Sequence, residues 1–193
     1  MTNDNQSNDQ ELWQAYDEQG NQITGKGLTK PQAREGSLHG AAHLWLWRHR
    51  NNRLEVLLQK RAEDKPTWPG YYDISAAGHI DFSETPLEAI LRETKEEIGF
   101  KINPVDIHLL FVYRQYLKDG DIIENEFQWV FGMEVKTEAE YTVDREVELV
   151  AWMSMDKFTD YINGDIKGSQ IVPQGKAYFD NLLKEIGRLE EST

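Results

Sequence analysis

The chain has no cysteine. Disulfides, thiolate metal sites and a thiol nucleophile are therefore excluded. No apolar run approaches the ~20 residues of a membrane-spanning helix. The polar start, MTNDNQSNDQ, lacks the basic and apolar regions of a secretory leader. These absences make a cytoplasmic protein with no membrane association the expectation. Positive charge is scarce: 21 Lys and Arg stand against 34 Asp and Glu, for a formal net charge of −13. That balance opposes general binding to nucleic acid, whose affinity rests on neutralised phosphates. A small phosphorylated ligand held by a few local cations stays open. What is present, 193 residues with 39% hydrophobic side chains, suits one globular domain with a full core.

The most informative stretch is Gly78 to Phe100, GHIDFSETPLEAILRETKEEIGF. Its middle predicts a helix. Thr85 can N-cap it, Pro86 suits the first helical position, and Glu88 completes a capping box with Thr85. Gly99 stands where a helix stop is expected. Leu87, Ile90, Leu91, Thr94 and Ile98 form a buried stripe. Glu93, Glu96 and Glu97, at i, i+3 and i+4, place three carboxylates on one other face. Such anions repel one another, and a hard divalent cation, Mg²⁺ or Mn²⁺, would cancel the repulsion. A solvated acidic face is the plain alternative.

The whole string decides between them. Gly78, five residues, Glu84, seven residues and then Arg92-Glu93-Thr94-Lys95-Glu96-Glu97-Ile98-Gly99 resembles the Nudix box, the loop–helix–loop signature of the Nudix hydrolases. Thr94 and Phe100 stand where the family usually has aliphatic residues. The resemblance implies an α/β fold, an α/β/α sandwich around a mixed β-sheet. It also implies a metal held by Glu93, Glu96 and Glu97, with the Gly78 carbonyl as a further ligand and Arg92 orienting the glutamates.

Residues 1–10 read as a disordered tail, and 11–35 as an N-terminal β-hairpin extension, with a turn at Asp17–Asn21 and a connector from Gly25 to Gly36. The Nudix domain is expected over 36–165, and a C-terminal helix packed on it over 166–193. Strands are predicted at 41–49, 54–60, 106–117, 122–135 and 147–153, with a short helix capped by Ser154. The strand over 122–135 alternates: Phe127, Trp129 and Phe131 point one way, and Glu124, Glu126 and Gln128 the other.

The segment LQKRAEDKPTWPG narrows the resemblance to Nudix proteins related to type 1 isopentenyl-diphosphate isomerase. There, an Arg and a Lys four residues apart before a Trp-Pro-Gly help to hold a diphosphate. Arg61, Lys65 and Trp68-Pro69-Gly70 match, which implies substrate contact by Arg61 and Lys65, with Trp68 lining the pocket. The isomerase also has a His/Glu metal site, and His43, His79, Glu124 and Glu126 sit at positions resembling it. Satisfied core histidines are the alternative for His43 and His79, and His39 reads as a surface or rim residue. The isomerase further needs a cysteine immediately before the box glycine. Here that residue is Ala77, so the double-bond chemistry lacks one of its acids.

The expectation is a metal-dependent hydrolase of a phosphoanhydride in a nucleoside diphosphate-type or other organic diphosphate. Glu93, Glu124 and Glu126 are the candidate general bases, and Glu97 is the principal ligand. A non-catalytic diphosphate-binding protein is the alternative class. Aromatic residues near the N-terminus suggest a homodimer.

Overall fold

The computed structural model describes residues 11–119, 122–164 and 170–191. The expectation for the tail at 1–10 falls outside them, as does the Gly120-Asp121 link between the strands expected at 106–117 and 122–135. The organising element is β3 (His39–Arg50). Its sequence, HGAAHLWLW, is buried on both faces, as expected of a central strand that reads as a nearly continuous apolar run. It runs parallel to β8 (Ile122–Glu134), and β8 pairs antiparallel with β7 (His108–Asp119). On the other side it meets two antiparallel partners in turn. β4 (Arg53–Arg61) pairs with Trp47–Arg50, and β6 (Ala76–His79) with Ala41–Leu44. β5 (Tyr72–Asp73) and β9 (Val147–Ser154) pair with β4.

The fork between β4 and β6 opens the sheet where the site lies. One hydroxyl bridges it: Ser75 Oγ accepts from the Leu46 N–H at 2.9 Å and donates to the Leu57 carbonyl at 2.6 Å. This satisfies buried backbone groups that would otherwise lack partners.

Side chains alternate along β3 between two cores. Leu44 and Leu46 pack with Leu57, Phe131 and the inner face of α2 (Pro86–Ile98), including Ile90 and Ile98. Trp45 and Trp47 pack with Val56, Phe158 of α3 (Met155–Asn163), and Tyr178, Leu182 and Ile186 of α4 (Lys176–Glu190). The result is a mixed sheet between helices. Each fully buried aliphatic side chain contributes ~1.5–3 kcal/mol.

The helix ends follow their local chemistry. Thr85 and Glu88 form the capping box of α2, and Gly99 closes it at φ 65°. Ser154 caps α3, and Gly164 ends it at φ 75°. Thr94 sits in the apolar stripe of α2 without cost because its hydroxyl donates to the Ile90 carbonyl at 2.6 Å.

Two expectations change. The connector from Gly25 is partly strand, since β2 (Gln22–Thr29) extends to Thr29 and α1 (Lys30–Arg34) follows. The aromatic residues of β1 (Leu12–Tyr16) are also not exposed. Trp13 and Tyr16 are 5% and 3% accessible, because β1 bridges to β3 at Ala15 and His39 and turns both rings inward. The ground for expecting a dimer there is removed.

Candidate functional site

At the sheet fork lies a cavity of about 450 Å³, walled by α1, β3, β6, α2, β8 and the loop after β4. The sequence-derived candidates Gly78, Arg61, Lys65, Trp68, His43, His79, Arg92, Glu93, Glu96, Glu97, Glu124 and Glu126 all line it.

On the α2 side, Gly78 lets the strand and helix approach closely. A Cβ there would fall 2.1 Å from the Glu93 carboxyl carbon. Arg92 ties this wall together. It donates to Glu84 at 2.9–3.0 Å, to Glu93 at 2.7 Å and to the His79 carbonyl at 3.1 Å, and reaches Glu96 at 3.3 Å. Glu97 is held apart from Arg92, accepting from the Ala77 N–H at 3.0 Å and from Gln59 at 3.4 Å. Burial pushes Glu93 up to about 7 even with Arg92 beside it, and drives Glu97 well above the ordinary carboxylate range. Two desolvated acids, of which only Glu93 has a guanidinium partner, are a donor set that a divalent cation suits.

Glu93 gives a measurable consequence for the metal-free protein. Its folded pKa lies above the unfolded value, so the folded state binds more protons and stability falls as pH rises from about 4.5 to about 7. With a chelator present, the loss should be on the order of 2 kcal/mol, or roughly 4–8 °C in melting temperature. Glu93→Gln should flatten that part of a melt-versus-pH curve; an unchanged slope would refute the assignment.

On the opposite side of the fork, the structure gathers His39, His79 and Glu126, each offering one ligand atom within 4.8 Å of the others. β3–β8 register sets His39 directly beside Glu126. His39 Nε2 lies 3.4 Å from Glu126, and its Nδ1 donates to the Ser37 carbonyl at 2.9 Å, an outer bond of the kind that orients ligating histidines. Burial opposes charge on both, but the pairing wins: Glu126 is held down at about 2 and His39 is raised. His79 behaves differently. Part of its ring faces the cavity, yet surrounding protein and the His39 charge push it to about 3, so it is neutral. Trp13 stacks on it with ring centroids 3.6 Å apart. Glu124, half-buried beside Glu126, is pushed up by burial and by that charge.

His43 stands apart from this set. It is buried and turned by its Nδ1 towards the Tyr178 hydroxyl at 2.9 Å. The two loop cations are also engaged. Arg61 pairs with Asp73 at 2.8 Å and holds Thr67, and Lys65 pairs with Glu146, rather than with the neighbouring Glu63 or Asp64. Trp68 takes φ 50°, so the Trp-Pro-Gly corner carries backbone strain that places its ring on the cavity wall.

Sequence reasoning misplaced His39, which is 2% accessible, and gave no site role to Trp13, Asp73 or Glu146. The period-two spacing of His39, Ala41 and His43 was the available signal, but Glu126, the β8 residue that completes the cluster beside His39, lies 87 residues further along the chain.

Comparison with known proteins agrees with this geometry. A family model described as NUDIX domain matches residues 38–174. Nudix hydrolase 3 of Arabidopsis thaliana is 34% identical over 146 residues, 71% of this chain and 19% of that protein. The isopentenyl-diphosphate Delta-isomerase of Corynebacterium diphtheriae is 35% identical over 112 residues, 56% of this chain and 61% of its own length. The chain thus spans less than two thirds of either relative. Among solved structures, the NUDIX domain of Shewanella oneidensis NrtR complexed with ADP ribose superposes with a TM-score of 0.56 at 17% identity, covering 81% of this chain and 88% of that one. A family match across most of the chain, over the carboxylate helix and the fork it packs against, shows that the chain belongs to the NUDIX domain family.

Proposed function

We propose that this protein hydrolyses a phosphoanhydride bond in a nucleoside diphosphate-type or other organic diphosphate, using Mg²⁺ or Mn²⁺. The observation that carries the reading is one cavity holding the Glu93–Glu96–Glu97 wall, the His39–His79–Glu126 cluster and the cations Arg61 and Lys65. Glu93, Glu96, Glu97 and the Gly78 carbonyl would hold a divalent ion, and His39, His79 and Glu126 offer a second donor set. When bound, such an ion neutralises phosphate charge and acidifies water. Arg61 and Lys65 grip phosphate oxygens, exchanging Asp73 and Glu146 for the ligand. Arg92 orients Glu93. Water adds to phosphorus as the bridging P–O bond breaks, and a carboxylate takes the water proton. Glu126 is committed to His39, which leaves Glu93 and Glu124 as the bases. Trp68 and Trp13 give the organic part of the substrate a wall. The named relatives support the class: one is called a Nudix hydrolase, one an isomerase of a diphosphate, and one solved neighbour holds ADP ribose. Isomerase chemistry is not proposed, because Ala77 replaces the thiol that it requires.

A metal-dependent hydrolysis screen over nucleoside, thiamine-type and isoprenoid diphosphates, with product identification, tests this. Turnover with Mg²⁺ or Mn²⁺ and none with chelator is expected. Tight binding without turnover across the panel would replace catalysis by a binding role. Lys65→Ala should raise KM about tenfold with kcat little changed, since a charge-assisted hydrogen bond of ~1.5–3 kcal/mol is lost. An unaltered KM would leave Lys65 as a partner of Glu146 alone.

A further inference from the structure

His43 is the one cavity histidine outside the cluster of donors, and its hydrogen bonds define what it can do. It lies directly opposite Ala77 across the β3–β6 ladder, with both side chains on the same face. Its Nδ1 is 2.9 Å from the Tyr178 hydroxyl, and that hydroxyl is also 2.9 Å from Nε1 of Trp45. An indole N–H only donates, so Trp45 occupies a lone pair of the hydroxyl oxygen. The hydroxyl has a single proton, and His43 Nδ1 is its acceptor among the described residues. Trp45 and Tyr178 are 1% and 0% accessible. A proton on Nδ1 instead would leave the Tyr178 O–H buried and unsatisfied. Nδ1 therefore accepts, and the neutral ring carries its hydrogen on Nε2. Burial favours that neutral ring, against the pull of Glu126 and Asp73.

We propose that His43 is a hydrogen-bond donor to the diphosphate and not a metal ligand: Trp45 and Tyr178 fix its tautomer so that Nε2–H is presented to a ligand oxygen beside Ala77. The nature of the ligand rests on the diphosphate reading above; the tautomer does not. A metal needs a ring nitrogen free of hydrogen, and His43 has none to spare. His39, four residues earlier, is held the other way round, with Nδ1–H given to the Ser37 carbonyl and Nε2 turned to Glu126 inside the donor cluster. One strand thus carries two histidines whose far nitrogens assign them different roles. Ala77 matters because a long side chain at that cross-strand position would crowd the imidazole's approach to the ligand.

The first measurement needs no variant. Long-range ¹H–¹⁵N spectra of the metal-free protein at neutral pH, with histidines assigned, should show His43 protonated at Nε2 and bare at Nδ1. The reverse tautomer, or a doubly protonated ring, overturns the proposal. The second pair of measurements uses His43→Gln and Tyr178→Phe, with Mn²⁺ and then methylenediphosphonate at saturating Mn²⁺ as probes. For His43→Gln, Mn²⁺ affinity should stay within twofold of the parent, and methylenediphosphonate affinity should fall about tenfold. Tyr178→Phe, which keeps the imidazole but frees its tautomer, should weaken methylenediphosphonate about threefold with Mn²⁺ unaffected. A parallel loss of Mn²⁺ affinity would make His43 a ligand, and unchanged methylenediphosphonate affinity would remove it from the substrate. If no diphosphate were turned over but these binding results held, hydrolysis would fail and the donor assignment would stand.

Discussion

Replacing Glu97 with Gln should lower kcat about 10³-fold, roughly 4 kcal/mol of transition-state stabilisation, while the melting temperature of the metal-free protein holds or rises. The two halves of that result have separate causes. Glu97 is nearly inaccessible at 9%, and its Oε2 accepts the Ala77 N–H. A Gln carbonyl can accept the same bond, so the backbone stays satisfied. Removing a buried carboxylate that burial already drives far above its ordinary range relieves a desolvation penalty. A neutral amide, however, is a poor ligand for a hard cation, and the phosphate charge would go uncompensated. Mn²⁺ titration of the variant should show weakened binding in step with the lost turnover. Undiminished turnover would move the reaction centre away from α2.

Gly78→Ala should cost about 10²-fold in turnover. An added methyl would sit 2.1 Å from the Glu93 Cδ and Oε1, far inside contact distance. The Glu93 carboxylate must therefore swing away, taking with it the 2.7 Å bond to Arg92. Displacing a reacting group by about 1 Å is enough for a loss of this size. The fold should survive, because the clash falls on the end of a side chain and Gly78 has ordinary φ, so no left-handed backbone is being forbidden. Circular dichroism and a melt would verify that. Full activity in this variant would mean that Glu93 has no fixed position to defend.

The elements that the sequence announced most clearly are those whose signals are local. Thr85, Pro86, Glu88 and Gly99 bound α2 within its own residues, and Ser154 with Gly164 do so for α3. Along β8, Phe127, Trp129 and Phe131 join the core under α2 while Glu124 and Glu126 line the cavity, the alternation expected. The same local chemistry was present and overlooked at α1, where Thr29 and Gln32 form a capping box around Pro31 in a segment read as a connector. Long-range register was a different matter. That His39 is buried beside Glu126 follows from the parallel pairing of β3 with β8, and the local period-two spacing of His39, Ala41 and His43 does not by itself name that partner. The loop cations posed the same difficulty: Arg61 and Lys65 bypass the acids beside them for Asp73 and Glu146, which arrive from β5 and from the segment before β9.

The stacking of Trp13 on His79 has an evolutionary corollary. Trp13 belongs to β1, ahead of the segment that the family model matches, yet it forms part of the cavity wall. A change in this hairpin would therefore reshape one wall of the cavity without touching the acidic helix, so the amino-terminal arm can vary independently of the carboxylates.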